Sequence, residues 1–203
     1  MIENQLTVHQ ARVFACLMEK HLATPNNYPL TINSLVLACN QKSNREPVMS
    51  LTEGQVGHVV GELVALNLAR IDYGDRANKI THRGPGELKI DRHGQAVMAM
   101  LMLRAPLTLA EIKARTDRMV EFDDLDAVSV VVEDLMQREQ PLVMLIPKGP
   151  GRREDRYTHL LCGEPDLTQL DKVATPAKVP NSDKLAELEA RIEQLERALE
   201  KLS

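Results

Sequence analysis

One pattern occurs twice in this chain, and the repeat constrains its fold more than any other feature. Pro29-Leu30-Thr31-Ile32-Asn33-Ser34-Leu35 returns as Pro106-Leu107-Thr108-Leu109-Ala110-Glu111-Ile112. Val56, Val59, Val60 and Leu63 return at the same spacing as Val128, Val131, Val132 and Leu135. Ile80-Thr81-His82 returns as Tyr157-Thr158-His159. The offsets are 77, 72 and 77 residues, so the second copy is shorter in one loop and longer in another. Solenoid units repeat every ~20–50 residues, so a period this long is a repeated domain. Each copy is then about 80–90 residues, enough for a modest core.

The first copy reads as helix, helix, helix, hairpin. Thr7 and Gln10 have capping-box spacing ahead of the apolar face Val13, Phe14, Leu17 and Met18. The Pro25–Pro29 stretch ends that helix, and a short second helix runs from Thr31 towards Asn40. Ser50 and Glu53 are spaced as the capping pair of a third helix, whose core face is Val56, Val59, Val60 and Leu63. Asn67 stands where a left-handed C-terminal residue is expected. Leu68–Tyr73 and Lys79–His82 read as strands around a Gly74-Asp75 turn. In the second copy Gly94–Leu103 supplies the first helix. Thr108 and Glu111 cap the second, and Asp123 or Asp124 caps the third. Leu142–Ile146 and Arg156–Leu161 make the second hairpin.

Three helices followed by a β-hairpin is the winged-helix plan, a helix-turn-helix variant. The expected fold is mainly α with small β-hairpin wings, as two tandem winged-helix domains at 1–90 and 91–162. A linker at 163–181 follows, with prolines at 165, 176 and 180. A C-terminal heptad, coiled-coil-like helix is expected at 182–203. Its seam is Leu185, Leu188, Ile192, Leu195, Leu199 and Leu202, alternating three and four residues apart. Arg191 and Glu196 occupy g and the following e position, which suits an interchain ion pair in a parallel homodimer. Fewer than three heptads are marginal for a free-standing coil, so folding back on the body is the other reading of this tail.

Charge and composition narrow the function classes. Residues 1–90 carry 9 basic and 8 acidic groups, residues 91–165 carry 10 and 13, and residues 166–203 carry 6 and 8. None has the basic excess of a dedicated nucleic-acid binder. Aromatics make up 2% of the chain and Trp is absent, so the cores must be aliphatic. Cys16, Cys39 and Cys162 lie far apart without C-x-x-C spacing, which argues against a disulfide framework or structural zinc. The polar N-terminus gives no signal-peptide pattern, and the longest apolar run, Ala96–Leu103, is too short to span a bilayer. A cytoplasmic protein without membrane contact is expected.

The loop Cys39-Asn40-Gln41-Lys42-Ser43-Asn44-Arg45-Glu46-Pro47-Val48 carries a resemblance. With the upstream Glu19-Lys20 and Thr24-Pro25…Tyr28-Pro29-Leu30, it resembles the YceH-like family of uncharacterised bacterial proteins. The resemblance extends over essentially the whole chain and implies a tandem winged-helix protein. The arrangement is also similar to chromosome-segregation partner proteins of the ScpB type, which pair winged helices and bind proteins. That likeness is one of fold alone.

Candidate sites follow from the surfaces such a fold would present. With the valines inward, the third helix of the first copy turns Gly54, His58, Gly61 and Ala65 outward, flanked by Gln55 and Glu62. Gly54, Gly57 and Gly61 make either a flat face for close approach of a partner or a weak helix that packing carries. The second copy turns out Asp126, Val130, Glu133 and Gln137, an acidic face that phosphate would repel. Gln41, Lys42, Ser43, Asn44 and Arg45 offer donors suited to phosphate or carboxylate. Equally, such side chains satisfy helix ends within the fold. Arg76, Lys79 and Arg83 mark the first wing, and Lys148, Arg152, Arg153 and Arg156 the second; these suit nonspecific contact with a DNA backbone. His82 and His159 are equivalent by duplication, and no Cys, Asp or Glu cluster supports a metal there. Glu19, Lys20 and His21 read as a charged helix end. No nucleophile motif, phosphate loop or paired-carboxylate constellation is present, so no enzyme, cofactor or metal is expected. The leading expectation is a non-enzymatic protein-interaction module. The alternative is a DNA-binding transcriptional regulator using the first winged helix and the basic wings.

Overall fold

A computed structural model describes residues 5–74, 77–149 and 153–165. The heptad positions Leu185, Leu188, Ile192, Leu195, Leu199 and Leu202 lie outside the described residues, as do Arg76 and Arg152. The described chain is mainly helical with two small antiparallel hairpins. The elements are α1 (Val8–Ala23), α2 (Ile32–Cys39), α3 (Glu53–Ala65), β1 (Ala69–Asp72), β2 (Lys79–His82), α4 (Gly84–Leu88), α5 (Arg92–Arg104), α6 (Leu109–Thr116), α7 (Leu125–Met136), β3 (Val143–Ile146) and β4 (Arg156–His159).

Local chemistry accounts for most boundaries. Thr7 caps α1 with a reciprocal box to Gln10, and Thr108 caps α6 with a reciprocal box to Glu111. Thr31 caps α2. The cap of α3 differs from the Ser50–Glu53 expectation: Thr52 is the N-cap and Gln55 completes the box. Both pairs have the same spacing, and the choice between them rests on where Val56 must begin the buried face. α5 starts two residues earlier than Gly94, because the Asp91 carboxylate accepts from the Gly94 N–H. Asp124, rather than Asp123, caps α7. Asn67 takes φ 60, as its place after α3 requires.

The repeat is visible in the hydrogen bonding. In the first half β1 pairs with β2, and Leu30 bridges the other edge of β2 at Ile80. In the second half β3 pairs with β4, and Leu107 bridges Tyr157. The two bridges are related by the repeat's own 77-residue offset. α4 has no counterpart in the sequence reading, which passes from the first hairpin directly to the helix at Gly94. Its first glycine is needed for close approach to α1: a Cβ at Gly84 would lie 3.1 Å from the Phe14 ring and 3.2 Å from the Met18 sulfur.

The two halves share one hydrophobic core. Every residue from Gln10 to Glu19 on α1 and from Gly94 to Leu103 on α5 is buried, and these helices pack together. Both are apolar over much of their circumference, so each needs neighbours on more than one side. Backbone ties run between the halves: Leu6 N–H donates to the Leu161 carbonyl at 2.7 Å, and Glu46 N–H to the Leu103 carbonyl at 2.8 Å. No helix among the described residues is long and apolar enough to cross a membrane.

Candidate functional site

The signature loop after α2 wraps a buried ion centre. Arg12, Cys16 and Glu19 recur on α1 at four- and three-residue steps, so they share one helix face. That face meets the end of α2 and the loop. The Glu19 carboxylate, fully buried, accepts from Arg45 Nη2 at 2.6 Å and from Nη1 at 3.5 Å. Lys20 approaches the same carboxylate at 3.4 Å and Arg118 of the second half at 3.2 Å. Arg45 also donates through Nε to the Ala38 carbonyl, through Nη1 to the Asn44 carbonyl and through Nη2 to Gln41 Oε1. Arg45 therefore binds a carboxylate, but one belonging to its own chain, and it is 1% exposed. Burial pushes the guanidinium down, while Cys16 and Glu19 beside it raise it above its ordinary value.

The neighbours of Arg45 divide between interior and surface. Gln41 is half-buried and bridges Arg45 and Lys20. Asn44 adopts φ 54, and its Oδ1 accepts from Arg115 of the second half at 2.8 Å. Asn40 is bidentate with the Leu51 backbone, giving and taking at 2.8 Å. Lys42 and Ser43 alone of the five loop candidates are exposed. The loop thus satisfies the end of α2 and ties α1, α3 and the second half together.

The outward face of α3 is as bare as its sequence implies. Gly54, Gly57, His58, Gly61 and Ala65 are exposed, and nothing lies within 4 Å of a Cβ built on any of the three glycines. His58 meets Glu62 at 3.4 Å. Val64 adds an exposed apolar group. Beside this face a groove of about 460 Å³ is walled by Ile32, Gly57, Val60, Ile71 and Ile80. A second groove, about 640 Å³, brings Gln41 and Lys79 together with Lys20, Tyr28 and Leu37. Arg153 is exposed at the second hairpin. On α7 the outward residues are Leu125, Asp126, Val130, Glu133 and Asp134.

The repeated histidines sit in unlike surroundings. His82 is buried where β2, α1 and α5 converge. Its Nδ1 accepts from Gly84 N–H at 3.2 Å, so Nε2 carries the proton and faces His21 Nδ1 at 3.0 Å. Tyr28 Oη accepts from the His82 backbone N–H at 2.6 Å, and Gln95 Nε2 donates to the Met18 carbonyl at 2.9 Å beside both rings. Burial, then the neighbouring His21, depress His82 to about 3. His21 is also depressed, by burial and by Arg92. His159 has no such partner: its Nδ1 is buried without a hydrogen bond among the described residues, and burial depresses it to about 4. No group of three His, Cys, Asp or Glu among the described residues is placed to hold a metal ion.

Sequence reasoning missed Glu19 and Arg12 as interior groups. Arg12, Cys16 and Glu19 share a face of α1 turned away from Val13, Phe14 and Leu17, and such a largely polar stripe reads as the solvent side of a helix. Arg115, Arg118 and Gln95 gave no signal, because their partners come from the other half.

Comparison with known proteins places the chain among relatives that match it along most of its length. A family model described as protein of unknown function, DUF480, matches residues 6–152. A UPF0502 protein of Cellvibrio japonicus is 42% identical over 197 residues, covering 97% of this chain and 90% of its own. One from Klebsiella pneumoniae is 43% identical over 199 residues, covering 95% and 90%. One from Geobacter sulfurreducens is 46% identical over 169 residues, covering 82% and 77%.

Proposed function

Because the chain belongs to the DUF480 family of UPF0502 proteins, we propose for it a role that its own surfaces support: a non-enzymatic, cytoplasmic protein-interaction module built from two winged helices. The order helix, helix, helix, hairpin in each half supports the winged-helix reading. So does the short third strand contact that Leu30 and Leu107 each supply. In a DNA-binding winged helix the third helix enters the major groove and reads bases with Arg, Lys, Asn or Gln. The observation that carries the proposal is that α3 and α7 contain no Lys or Arg at all. α3 instead offers an open glycine face beside an apolar groove, and α7 an acidic face around exposed Val130. The heptad tail supplies a homodimer contact in this reading.

Exposed Lys42, Lys79, Lys148 and Arg153 favour the second reading, a regulator that holds the DNA backbone through its loop and wings. Electrophoretic shift of duplex DNA by micromolar protein separates the two. The interaction module gives no shift at low salt. A regulator with several phosphate contacts binds there and loses affinity steeply as salt rises. A sequence-specific shift would remove the first reading.

Gly61→Leu probes the same face from the protein side. The added side chain enters open space, and leaving glycine behind in a helix gains about 0.5–1 kcal/mol, so the variant is expected to unfold no earlier than the parent. Its partners in an affinity pull-down, nuclease-treated, are expected to fall away. An unchanged pull-down profile would show that α3 is not the binding face.

A further inference from the structure

At one place the second half of the repeat has a carboxylate that the first half lacks. In the second half Arg156 of β4 donates through Nη1 to Glu111 of α6 at 3.0 Å and to the Pro106 carbonyl at 2.9 Å. This pair ties the start of the helix to the wing. The 77-residue offset sets Lys79 of β2 at the place of Arg156, and Ser34 of α2 at the place of Glu111. The cation is kept and the acid is not. Ser34 turns its hydroxyl to that of Thr31 at 3.0 Å. Asp72, opposite Lys79 in the hairpin, is held instead by Arg70 at 2.9 Å and by Thr81 at 3.1 Å.

Beside Lys79 lies the open groove of about 640 Å³, and among the described residues Lys20 and Lys79 are its only charged lining. Lys20 is not neutralised either, because Glu19, the carboxylate it approaches, is shared with Arg45 and Arg118. Leu37 lines the groove and is 72% exposed, where the repeat has the smaller Ala114 in the second half. The surface complementary to this groove carries carboxylates and an apolar side chain on one face.

The chain itself presents such a face. Asp126, Val130 and Glu133 of α7 stand four and three residues apart, which puts them on one side of the helix. All three are exposed, Val130 by 67%. By the 72-residue offset their counterparts on α3 are Gly54, His58 and Gly61, so this acid-and-valine face belongs to the second half alone. Each half therefore holds one of two complementary surfaces.

We propose that α7 of a second copy of this chain docks into the groove, setting its carboxylates against Lys79 and Lys20 and its Val130 against Leu37. The proposal rests on the interaction-module reading and names the partner of the acidic α7 face; it does not use the α3 face. Groove and α7 are different surfaces, so every copy offers both. A two-fold arrangement closes the contact into a dimer, and any other arrangement continues it head to tail.

Sedimentation velocity of the full chain, over a wide range of concentration at low and high salt, is the test. Self-association is expected to rise with concentration and to weaken as salt screens the charges. Lys79→Glu, and separately Asp126→Lys with Glu133→Lys, are each expected to weaken it by about tenfold or more, because like charges then face each other. All three substitutions in one chain, or the two variants mixed, are expected to restore it, because opposite charges face each other again. The three positions are exposed, so the variants are expected to stay folded, as thermal melting checks. Gly61→Leu is expected to leave the sedimentation unchanged, so failure of the α3 face and failure of this contact are read separately. A parent without concentration dependence overturns the proposal and leaves the groove to an acidic segment of another protein. Association that Lys79→Glu leaves intact, or that the triple variant does not regain, overturns it as well.

Discussion

Replacing Glu19 by alanine is expected to lower the unfolding free energy by about 3–5 kcal/mol, the cost of leaving one member of a buried ion pair uncompensated. The size comes from burial: the Glu19 side chain is 1% exposed and that of Arg45 0%, at 2.6 Å. The contacts to Lys20 and Arg118 add little by comparison. Arg118 is more than half exposed, and screened pairs of that kind contribute about 1 kcal/mol or less. In a body of this size the loss lowers the melting temperature by roughly 10 °C or more. Glu19→Leu with Arg45→Met is expected to recover much of the loss, since a buried pair exchanged for apolar groups of similar volume is often nearly neutral. Thermal and urea unfolding of the single and double variants check both statements. A Glu19→Ala protein as stable as the parent would mean the centre is solvated in solution.

Acid is expected to destabilise the protein well above the range where its carboxylates titrate. His82 at about 3 and His159 at about 4 lie below the unfolded histidine value of about 6.5. Between those limits the unfolded chain binds protons that the native protein does not, so stability falls as pH falls. It is fully present above about pH 6.5 and declines by up to about 1.4 kcal/mol per pH unit for each histidine. His21, also depressed, acts in the same direction. Protonation of His82 would set an Nδ1–H against the Gly84 N–H it now accepts from, where β2, α1 and α5 meet. Urea midpoints at pH 7 and pH 5 are expected to differ strongly, and His82→Gln with His159→Gln to flatten the difference. Equal midpoints in the parent would show that both histidines are protonated without cost.

Much of the fold was legible because it rests on local rules. The Thr7, Thr31 and Thr108 caps, Asn67 at φ 60 and the Val56–Leu63 core face were all readable from spacing. The cap of α3 was misplaced by two residues because two capping patterns overlap, and local chemistry alone does not rank them. α4 carries no sequence expectation, because glycine and proline at 84–86 are weak helix formers. The exposed α3 candidates Gly54, His58 and Gly61 stand on the surface where the helical period put them. Arg45 does not, since the partner that draws it inward is 26 residues away.

By itself, then, the sequence determined what is periodic or adjacent: a duplicated order of helices and hairpin, the inward valines, and two third helices without a Lys or Arg. Tertiary structure alone decided which charges are inside. Whether Arg45, Glu19, His82 or Arg12 faces water depends on side chains brought in from other elements and from the other half. The energy of such a group is set by the dielectric and partners around it, and no local pattern in the chain encodes those.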